Sequence, residues 1–520
     1  MAATVTAEVK RAAPRRPWLD GVLAVLLAIG LTELAAGLFV GVPSAISSIG
    51  GLIVDSSPPW VKDLAISTLG TADKGALAIG TVVVALAIGA LVGGLAFRRF
   101  WIAVIAFSGF AVAGVAAQLG EPGVEPALAV MCTAVAAASG LIALRLLFRA
   151  DETPRAASDT GAVPADADRR RFVLLAGAVF LGGAISLVVG RQMIIGRSDS
   201  LREATALPRP VTRVAPVRPE NSFDVPGLTP VVVQDPDFYR IDTALVVPIV
   251  DVDSWRLRVT GMVDREVELT LDDLYALPQH ERYVTIACVS NGVGDDLVGN
   301  ANWQGVRLVE VLERAGVQPG AGQLVGRSVD GWTAGFPTEA AFDGRDPLIA
   351  VGMNGEPLPR RHGYPARLIV PGLYGYVSAT KWLEEIELTT WDGFDAYWVP
   401  KGWAKEGPIK TQSRIDRPAR GERLSPGSQA VAGVAWAPTR GIQRVEVQLD
   451  EGPWLEAELS EPLSNEAWVQ WRALIDLNES GGHRLRVRAT DGTGTTQTEE
   501  REPPRPDGAT GWHQVDFRVG

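Results

Sequence analysis

One cysteine stands where its chemistry could matter. Cys288 ends the apolar run TIAC, and the polar, glycine-containing segment VSNGVGDD follows it. A lone cysteine at the end of a strand is most often a buried, inert residue. A thiolate that binds a metal, or one activated by a histidine base such as His280 or His362, would instead be reactive. The residue types leave three roles open: core residue, metal ligand and nucleophile.

Positive side chains gather in a second segment, RRHGYPARLIVPGLYGYVSATKW, which spans residues 360–382. Arg367 opens an apolar run and Lys381 follows a turn of small residues. One interpretation is a solvated basic face. The other is that both side chains converge on a buried anion, with backbone N–H groups as further donors. The candidate cations of this segment are Arg360, Arg361, His362, Arg367 and Lys381.

Regular elements must hold these residues in place. The alternation in RYVTIACV predicts a strand that ends at Cys288. The segment GVRLVEVLERAG predicts a helix over Leu308–Ala315, ended by Gly316. Strands mixed with short helices and glycine turns are typical of an α+β domain.

Several motifs in the same order resemble the sulfite oxidase family of molybdenum enzymes. They are IACVSNG, NWQGVRLVEVL, MNGEPLPRRHGYPARLIVPGLYG and KWLEEIEL, and the resemblance covers residues 240–390 densely. It implies a molybdenum–molybdopterin cofactor whose metal is bound by the thiolate of Cys288, a soft ligand that suits such a metal. It also implies a dimerisation domain after the oxidoreductase domain.

The resemblance carries further roles to single residues. Arg240, in the segment FYRIDT, matches a family arginine that contacts substrate or cofactor, so Cys288 and Arg240 are the predicted catalytic residues. Asp330 in SVDGW falls near another pterin contact. The predicted cofactor-binding residues are Tyr239, Arg240, Asp242, Thr243, Asp330, His362, Arg367, Ala379, Thr380 and Lys381.

Two departures from the family pattern bear on the substrate. Sulfite-oxidising members carry arginines soon after the cysteine, whereas the loop here is acidic and has none. Their catalytic tyrosine precedes a Lys-Gly-aromatic triplet, and aligning that triplet with Lys401, Gly402 and Trp403 places Pro400 at the tyrosine position. We therefore expect oxygen-atom transfer to or from a small sulfur or nitrogen oxide other than sulfite.

The composition of the 520-residue chain indicates a membrane part joined to a soluble part. Residues 1–198 hold 16 Lys and Arg against 13 Asp and Glu, and the rest holds 33 against 47, so the second part is acidic and non-specific nucleic-acid binding is not expected. Five apolar runs are each long enough to cross a bilayer as a helix. These runs are Trp18–Val40, Gly75–Phe97, Trp101–Leu119, Val124–Phe148 and Phe172–Gly190.

The arginines predict how these spans are oriented. Positive charges precede the first span and lie between the second and third and between the fourth and fifth, which places the N-terminus in the cytoplasm and residues after 195 outside. Arg169, Arg170 and Phe172, which precede an apolar run, resemble a twin-arginine export signal, although Asp168 replaces the usual Ser or Thr. A positive-inside flank explains the same charges without an export signal.

No span contains a histidine, since the four in the chain are His280, His362, His483 and His513. We therefore expect no haem between the spans. The spans could anchor the protein, bind a quinone or dock a partner, and Cys132 within the fourth span is not expected to pair with Cys288.

The predicted fold is a five-span α-helical membrane bundle, then an α+β sulfite-oxidase-like molybdopterin domain, then an immunoglobulin-like β-sandwich. The predicted domains are a transmembrane anchor over 1–198, an extended linker over 199–235, the oxidoreductase domain over 236–415 and the sandwich over 416–520. We expect a membrane-anchored molybdopterin oxidoreductase. Two alternative hypotheses are a non-catalytic tethered binding or sensory module and a thiol-dependent hydrolase. Expected partners are the membrane, a small-molecule substrate, an unknown electron carrier and a second copy of the chain.

Overall fold

The computed structural model describes residues 16–39, 41–58, 73–121, 124–151, 165–200, 206–244 and 247–520. Contacts divide the chain into two compact units. One contains the residues up to Ser198 together with Ala244–Val246, and the other contains Asp199–Thr243 and Val247–Gly520.

The regular elements described in the first unit are all helices. Its helices are α1 (Pro17–Leu38), α2 (Ala45–Ser56), α3 (Asp73–Ala96), α4 (Trp101–Leu119), α5 (Pro126–Asp151) and α6 (Ala165–Ser200). All except α2 are long and apolar enough to cross a membrane, which confirms the prediction of five such helices. The end of the first predicted span, Val40, lies outside the described residues. Arg169 and Arg170 belong to the first turns of α6, in the same helix as the apolar run that follows them.

Glycines allow α1 to pack closely against its neighbours. A Cβ atom on Gly30 would overlap the backbone of Gly183 in α6, and one on Gly21 would overlap Gly89 and Gly93 in α3. Small residues at such crossings let helix backbones approach each other in a bilayer, where packing replaces the hydrophobic effect as the driving force.

α2 carries a polar cluster that the apolar runs did not predict, because α2 lies between the first two predicted spans. Ser44 is the N-cap of α2, and its hydroxyl donates to both carboxylate oxygens of Glu33, at 2.7 and 2.9 Å. The backbone N–H of Ile46 donates to Glu33 at 3.3 Å. The guanidinium of Arg191 in α6 lies 3.5 Å from the same carboxylate, whose side chain is 0% exposed. Glu33 thus joins α1, α2 and α6.

The oxidoreductase part of the second unit has two five-stranded sheets. Its strands are β1 (Leu257–Gly261), β2 (Val267–Leu269), β3 (His280–Ala287), β4 (Val298–Arg307), β5 (Gln323–Ser328), β6 (Thr333–Pro337), β7 (Leu348–Met353), β8 (Glu356–Pro357), β9 (Arg367–Ile369) and β10 (Leu383–Thr389). One sheet has the order β3-β4-β7-β8 with β9 paired to β7, and the other has the order β2-β1-β10-β5-β6.

Three short helices complete this part: α7 (Leu271–Ala276), α8 (Leu308–Ala315) and α9 (Gly375–Ser378). The predicted helix over Leu308–Ala315 is confirmed, and Gly316 ends it with a φ of 72°. Thr270 caps α7, because its hydroxyl accepts the N–H of Asp273 at 3.0 Å.

The C-terminal part is built almost wholly from strands. They are β11 (Gln412–Arg417), β12 (Arg423–Leu424), β13 (Gly427–Trp436), β14 (Ile442–Leu449), β15 (Trp454–Glu456), β16 (Glu458–Leu459), β17 (Val469–Leu477), β18 (Gly481–Asp491) and β19 (His513–Val519). They form sheets of the order β11-β13-β17-β16 and β12-β19-β18-β14-β15. Val431 and Trp471 from the first sheet and Val445 and Val487 from the second share one buried core.

Replacing Glu33 by Ala should lower the stability of the helical unit. The substitution leaves Arg191 without its carboxylate and removes the acceptor of the Ser44 hydroxyl. Removing one partner of a buried ion pair costs roughly 3 kcal/mol, and the 31% exposure of Arg191 places the expected loss at or below that value. The measurement is the thermal unfolding midpoint of the purified chain in detergent. Arg145→Ala removes an exposed charge from α5 and serves as the control. An unchanged midpoint for Glu33→Ala would contradict the structural role.

Candidate active site

Cys288 lies directly after β3, at the edge of the first sheet. The antiparallel pairing of β3 with β4 runs from His280 opposite Gly305 to Ala287 opposite Val298, and the N–H of Cys288 extends it by donating to the carbonyl of Leu297 at 2.9 Å. The residue is 8% exposed. Burial raises the pKa of the thiol, while hydrogen bonds from the N–H and hydroxyl of Ser290 and the charge of Lys381 lower it.

Asp242 joins two of the predicted cofactor-binding cations. Its carboxylate accepts Nε of Arg240 at 2.8 Å and Nζ of Lys381 at 3.1 Å. The ammonium of Lys381 also donates to the carbonyl of Ile241 at 3.0 Å. Arg240 and Asp242, which are two residues apart, and Lys381, which is 139 residues from Asp242, therefore form one charged cluster.

Lys381 is the most perturbed member of this cluster. Burial lowers its pKa to about 8, against the opposing effect of the Asp242 carboxylate, and the nearby charge of Arg367 lowers it further. Burial likewise raises the pKa of Asp330, which also feels the charges of Asp242 and Lys381. The structure thus brings Asp330 to the same cluster.

Arg367 is buried beside these groups with an incomplete set of partners. It is 2% exposed, its Nη1 donates to the carbonyl of His362 at 3.0 Å, and its guanidinium lies 4.9 Å from the ring centroid of Trp303. Among the described residues, its Nε has no hydrogen-bond acceptor. Burial lowers its pKa to about 10, so the group is charged at neutral pH and poised to hold an anion.

A tight turn brings Arg367 and Lys381 together. Gly363 has a φ of 114°, and a Cβ atom there would lie 3.1 Å from the Cα of Lys381 and from the Cβ of Arg367. The carbonyl of Gly363 also accepts the N–H of Trp382 at 3.2 Å. Glycine is required here both by the left-handed backbone and by the close approach of the two chain segments.

His362 is not one of the cations of the site, contrary to its grouping in the sequence analysis. Burial, together with the charges of Lys381 and Arg367, lowers its pKa to about 3. Its Nε2 lies 3.2 Å from the carbonyl of Asp235, and its ring packs edge-on against Phe238 at 5.7 Å. A neutral imidazole can donate one hydrogen bond but cannot balance a negative charge.

The remaining predicted site residues take different positions. Tyr239 stacks on Phe238, and burial and the proximity of Cys288 raise its pKa, so its phenol stays protonated. Thr243 follows the charged cluster and is half-buried. Ala379 follows α9, and the hydroxyl of Thr380 donates to the carbonyl of Gly326 at 3.4 Å, away from the charged groups. Direct contact of these residues with a cofactor stays a prediction.

The geometry argues against a thiol-dependent hydrolase. His280 opens β3, eight residues before Cys288, and an extended strand of that length separates them by roughly 26 Å. Its ring instead contacts Thr212 at 3.1 Å and Glu310 at 3.4 Å. His362 is a weak base, because its pKa is lowered to about 3, and its Nε2 lies against the carbonyl of Asp235. Neither histidine is therefore suited to activate this thiol.

Two residues near the cysteine were missed by sequence reasoning. Ser290, in the loop that follows the cysteine, lowers the pKa of the Cys288 thiol, and its position two residues on was the available signal. Tyr374 is buried, and burial together with the nearby Cys288 raises its pKa to about 12. Pro400, at the position of the family's tyrosine, lies in a turn that Gly402 closes with a φ of 89°.

Comparison with known proteins decides the family. The model of the "Oxidoreductase molybdopterin binding domain" family matches residues 244–398, and that of the "Mo-co oxidoreductase dimerisation domain" matches residues 406–515. Sulfite oxidase of Arabidopsis thaliana is 30% identical over 337 residues, which cover 53% of this chain and 85% of that protein. The chain belongs to the sulfite oxidase family of molybdopterin-dependent oxidoreductases.

The alignments with three other similar proteins cover a smaller share of this chain or of the similar protein. Mitochondrial sulfite oxidase of Rattus norvegicus is 29% identical over 310 residues, 51% of this chain and 56% of the relative, so the chain spans about half the length of that protein. The uncharacterized oxidoreductase YuiH of Bacillus subtilis is 36% identical over 157 residues, 30% of this chain and 76% of the relative. The solved sulfane dehydrogenase SoxCD of Paracoccus pantotrophus is 25% identical, covers 53% of this chain and 80% of its own, and has a TM-score of 0.47.

The residues of the site fit the family's molybdenum–molybdopterin cofactor. The described residues contain no group of three or more His, Cys, Asp and Glu that could hold a metal, so a metal here needs ligands beyond a single thiolate, and the pterin dithiolene supplies them. The three cations Arg240, Arg367 and Lys381 outnumber the carboxylates of Asp242 and Asp330, and among the described residues Nε of Arg367 lacks an acceptor. An anionic cofactor would satisfy both.

Lys381 should make cofactor retention depend on pH. Its pKa of about 8 rises further when an anion binds beside it, because the anion stabilises the charged form. Above pH 8, binding of the anionic cofactor therefore requires Lys381 to take up a proton. The affinity for the cofactor is full below that pH and falls above it. We expect more molybdenum to be lost on dialysis at about pH 9.5 than at about pH 7, as measured by metal analysis. Lys381→Arg, which stays charged at both values, should lose equal amounts. Equal losses from the unmodified protein would contradict the assignment.

Proposed function

We propose that this protein is a membrane-anchored molybdopterin oxidoreductase that moves an oxygen atom to or from a small sulfur or nitrogen oxide outside the cytoplasm. The observation that carries the proposal is the buried thiol of Cys288 beside a cluster with excess positive charge, in which Nε of Arg367 lacks an acceptor. A single soft ligand and a buried anion site are what the family's cofactor needs.

Each residue of the site has a defined task in this proposal. Cys288 would bind the metal, and Ser290 favours the thiolate by lowering the pKa of the thiol. Arg240 and Lys381, held together by Asp242, and Arg367 bind the anionic cofactor or substrate. When bound, the cofactor supplies two-electron oxygen-atom transfer, with water as the source or sink of the oxygen.

The loop after the cysteine favours an uncharged substrate. Asp295 and Asp296 stand in the segment VSNGVGDD, where sulfite-oxidising members carry arginines. Without those arginines the loop offers a dianion such as sulfite no additional positive charge, which a neutral sulfoxide or N-oxide does not need. The relatives named sulfite oxidase support sulfur-oxide chemistry as a class, and the charge of this loop directs it toward neutral members.

The long helices and the C-terminal part support the proposed membrane orientation and the proposed homodimer. Arg98, Arg99, Arg149 and Arg171 flank the long helices on the side expected to be cytoplasmic, which puts residues after 195 outside. We assign residues 416–520 to an immunoglobulin-like sandwich that forms a homodimer, supported by the match to a dimerisation domain. An external electron carrier exchanges two electrons with the site.

Metal content and activity should both depend on Cys288. We expect about one molybdenum per chain in protein purified from cells that make the cofactor. Cys288→Ser should lower turnover of sulfoxides or N-oxides by more than about 100-fold, since loss of even an indirect contact to a metal ligand can cost that much. Cys132→Ser removes the only other cysteine and should leave turnover unchanged.

Two outcomes would count against this function. Protein free of molybdenum, although it comes from cells competent in cofactor synthesis, would exclude it. Bound pterin with no turnover of sulfite, sulfoxides or N-oxides would favour a tethered binding or sensory module that retains the fold.

The proposed export route gives a separate prediction. Replacing Arg169 and Arg170 together by Lys keeps the positive flank but removes the arginine pair that folded-protein export reads. We expect the catalytic part to stay in the cytoplasm, as judged by its resistance to protease added to spheroplasts. The matched control replaces Arg98 and Arg99 by Lys and should leave the catalytic part accessible. Unchanged accessibility in the first variant would show that these arginines act only as a positive-inside flank.

A further inference from the structure

The loop that follows Cys288 is closed by its own hydrogen bonds. The N–H of Asn291 donates to the carbonyl of Cys288 at 3.1 Å, and the N–H of Leu297 donates to Oδ1 of Asn291 at 2.7 Å. At the tip, Gly292 and Asp295 exchange two bonds, one between backbones at 3.1 Å and one from the Gly292 N–H to the Asp295 carboxylate at 3.1 Å. Ser290, which lowers the pKa of the Cys288 thiol, lies inside this loop.

The C-terminal sheets contact the tip of this loop directly. Gly294 has a φ of 92°, and a Cβ atom there would overlap Cδ2 and Nε2 of His513, the first residue of β19. Nη1 of Arg414, in β11, donates to the carbonyl of Asp295 at 3.1 Å. The ring edge and the guanidinium therefore meet the loop on adjacent residues.

Both contacting side chains are held rigidly within the C-terminal part. Nδ1 of His513 accepts the N–H of Ile415 at 2.9 Å, and burial and the charge of Arg414 lower the pKa of the ring to about 4, so it stays neutral. Arg414 is ion-paired with Asp416 at 2.7 Å, with both side chains 8% exposed. Neither group is free to follow the loop if the loop moves.

The same C-terminal part also supports the strand that carries the cysteine. β3 is an edge strand, and the N–H of Thr285 donates to the carbonyl of Glu466 at 2.9 Å. The Thr285 hydroxyl accepts the N–H of Trp468 at 2.8 Å, and the Ser464 hydroxyl donates to the carbonyl of Tyr283 at 2.8 Å. The strand before Cys288 and the loop after it are thus both held from the C-terminal sheets.

We propose that the C-terminal part, beyond any role in dimerisation, sets the geometry at the active-site thiol, with His513 as its positioning residue. The effect passes from the His513 ring to Gly294 and through the hydrogen-bonded loop to the backbone of Cys288, whose carbonyl accepts the N–H of Asn291 and whose N–H donates to Leu297. The groups around a metal ligand orient it and tune the metal. The consequence for the metal rests on the proposed function, whereas the mechanical coupling does not.

The substitution His513→Asn separates the two contacts of this residue. The Asn side-chain oxygen occupies the place of Nδ1 and still accepts the N–H of Ile415, but the ring edge that packs on Gly294 is gone. His483→Asn is the matched control. His483 lies on β18 opposite Phe517, four residues along the strand from His513, and contacts Asp450 and Glu479.

Hydrogen exchange on the purified full-length protein in detergent tests the coupling without requiring metal. We expect the loop amides, including those of Gly292, Asp295 and Leu297, to exchange about fivefold faster in His513→Asn, as loss of one buried contact of ordinary strength implies. The control should leave these amides unchanged. Unchanged exchange in His513→Asn, or equal acceleration in both variants, would overturn the proposal.

Two readouts on metal-loaded protein test the consequence for the site. In His513→Asn we expect one molybdenum per chain to be retained, with a shifted paramagnetic resonance spectrum of the half-reduced metal and a raised KM at little-changed kcat. A spectrum and KM identical to those of the unmodified protein would overturn the coupling to the thiol. Absence of metal from the unmodified protein would instead reject the proposed function, and the exchange result would still decide the mechanical coupling.

Discussion

Positive charge buried beside a thiol is the constraint on which the catalytic part depends. Arg367 and Lys381 keep their charges in a place that water scarcely reaches, and the carboxylate of Asp242 bridges Arg240 and Lys381. Burying a charge is expensive unless it is paired. The arrangement is stable in this form only if another anion completes it, which is why the site fits an anionic cofactor.

The helical unit also contains a buried charge, but this charge has its partners within the chain. Glu33 is fully buried, yet its carboxylate accepts hydrogen bonds from the Ser44 hydroxyl and the Ile46 N–H and pairs with the guanidinium of Arg191. Its partners are complete, so the cluster is explained by holding α1, α2 and α6 together. Arg367 differs because one of its donors has no acceptor among the described residues. A buried charge whose partners are complete, such as Glu33, has a structural role. A buried charge with an unused donor, such as Arg367, can bind a ligand.

The thiol is held by three separate parts of the chain. Strand pairing with β4 fixes it on one side, the loop that follows fixes it on the other, and the C-terminal sheets contact both. A metal ligand needs its position set closely, because small displacements change both the geometry and the electronics of the metal. The part of the chain that matches the dimerisation-domain model also contacts this loop. We therefore propose that it helps to position the metal ligand.

Local properties of the chain could be read from the sequence. The five long helices follow from the length and composition of their apolar runs, the helix over Leu308–Ala315 from its periodicity and the glycine that ends it, and the family from motifs whose order is preserved. Each of these depends on residues that are neighbours in the chain, so the printed sequence contains the whole signal.

The tertiary structure decided the chemical state and the partners of the same residues. His362 looked like a cation but is neutral, because burial and two nearby charges disfavour its protonated form. His280 looked like a candidate base but lies at the far end of β3. Contact between His513 and Gly294, more than 200 positions apart in the chain, had no local signal at all. Charge, burial and contact depend on distances that only folding creates, and for that reason they could not be predicted from neighbouring residues.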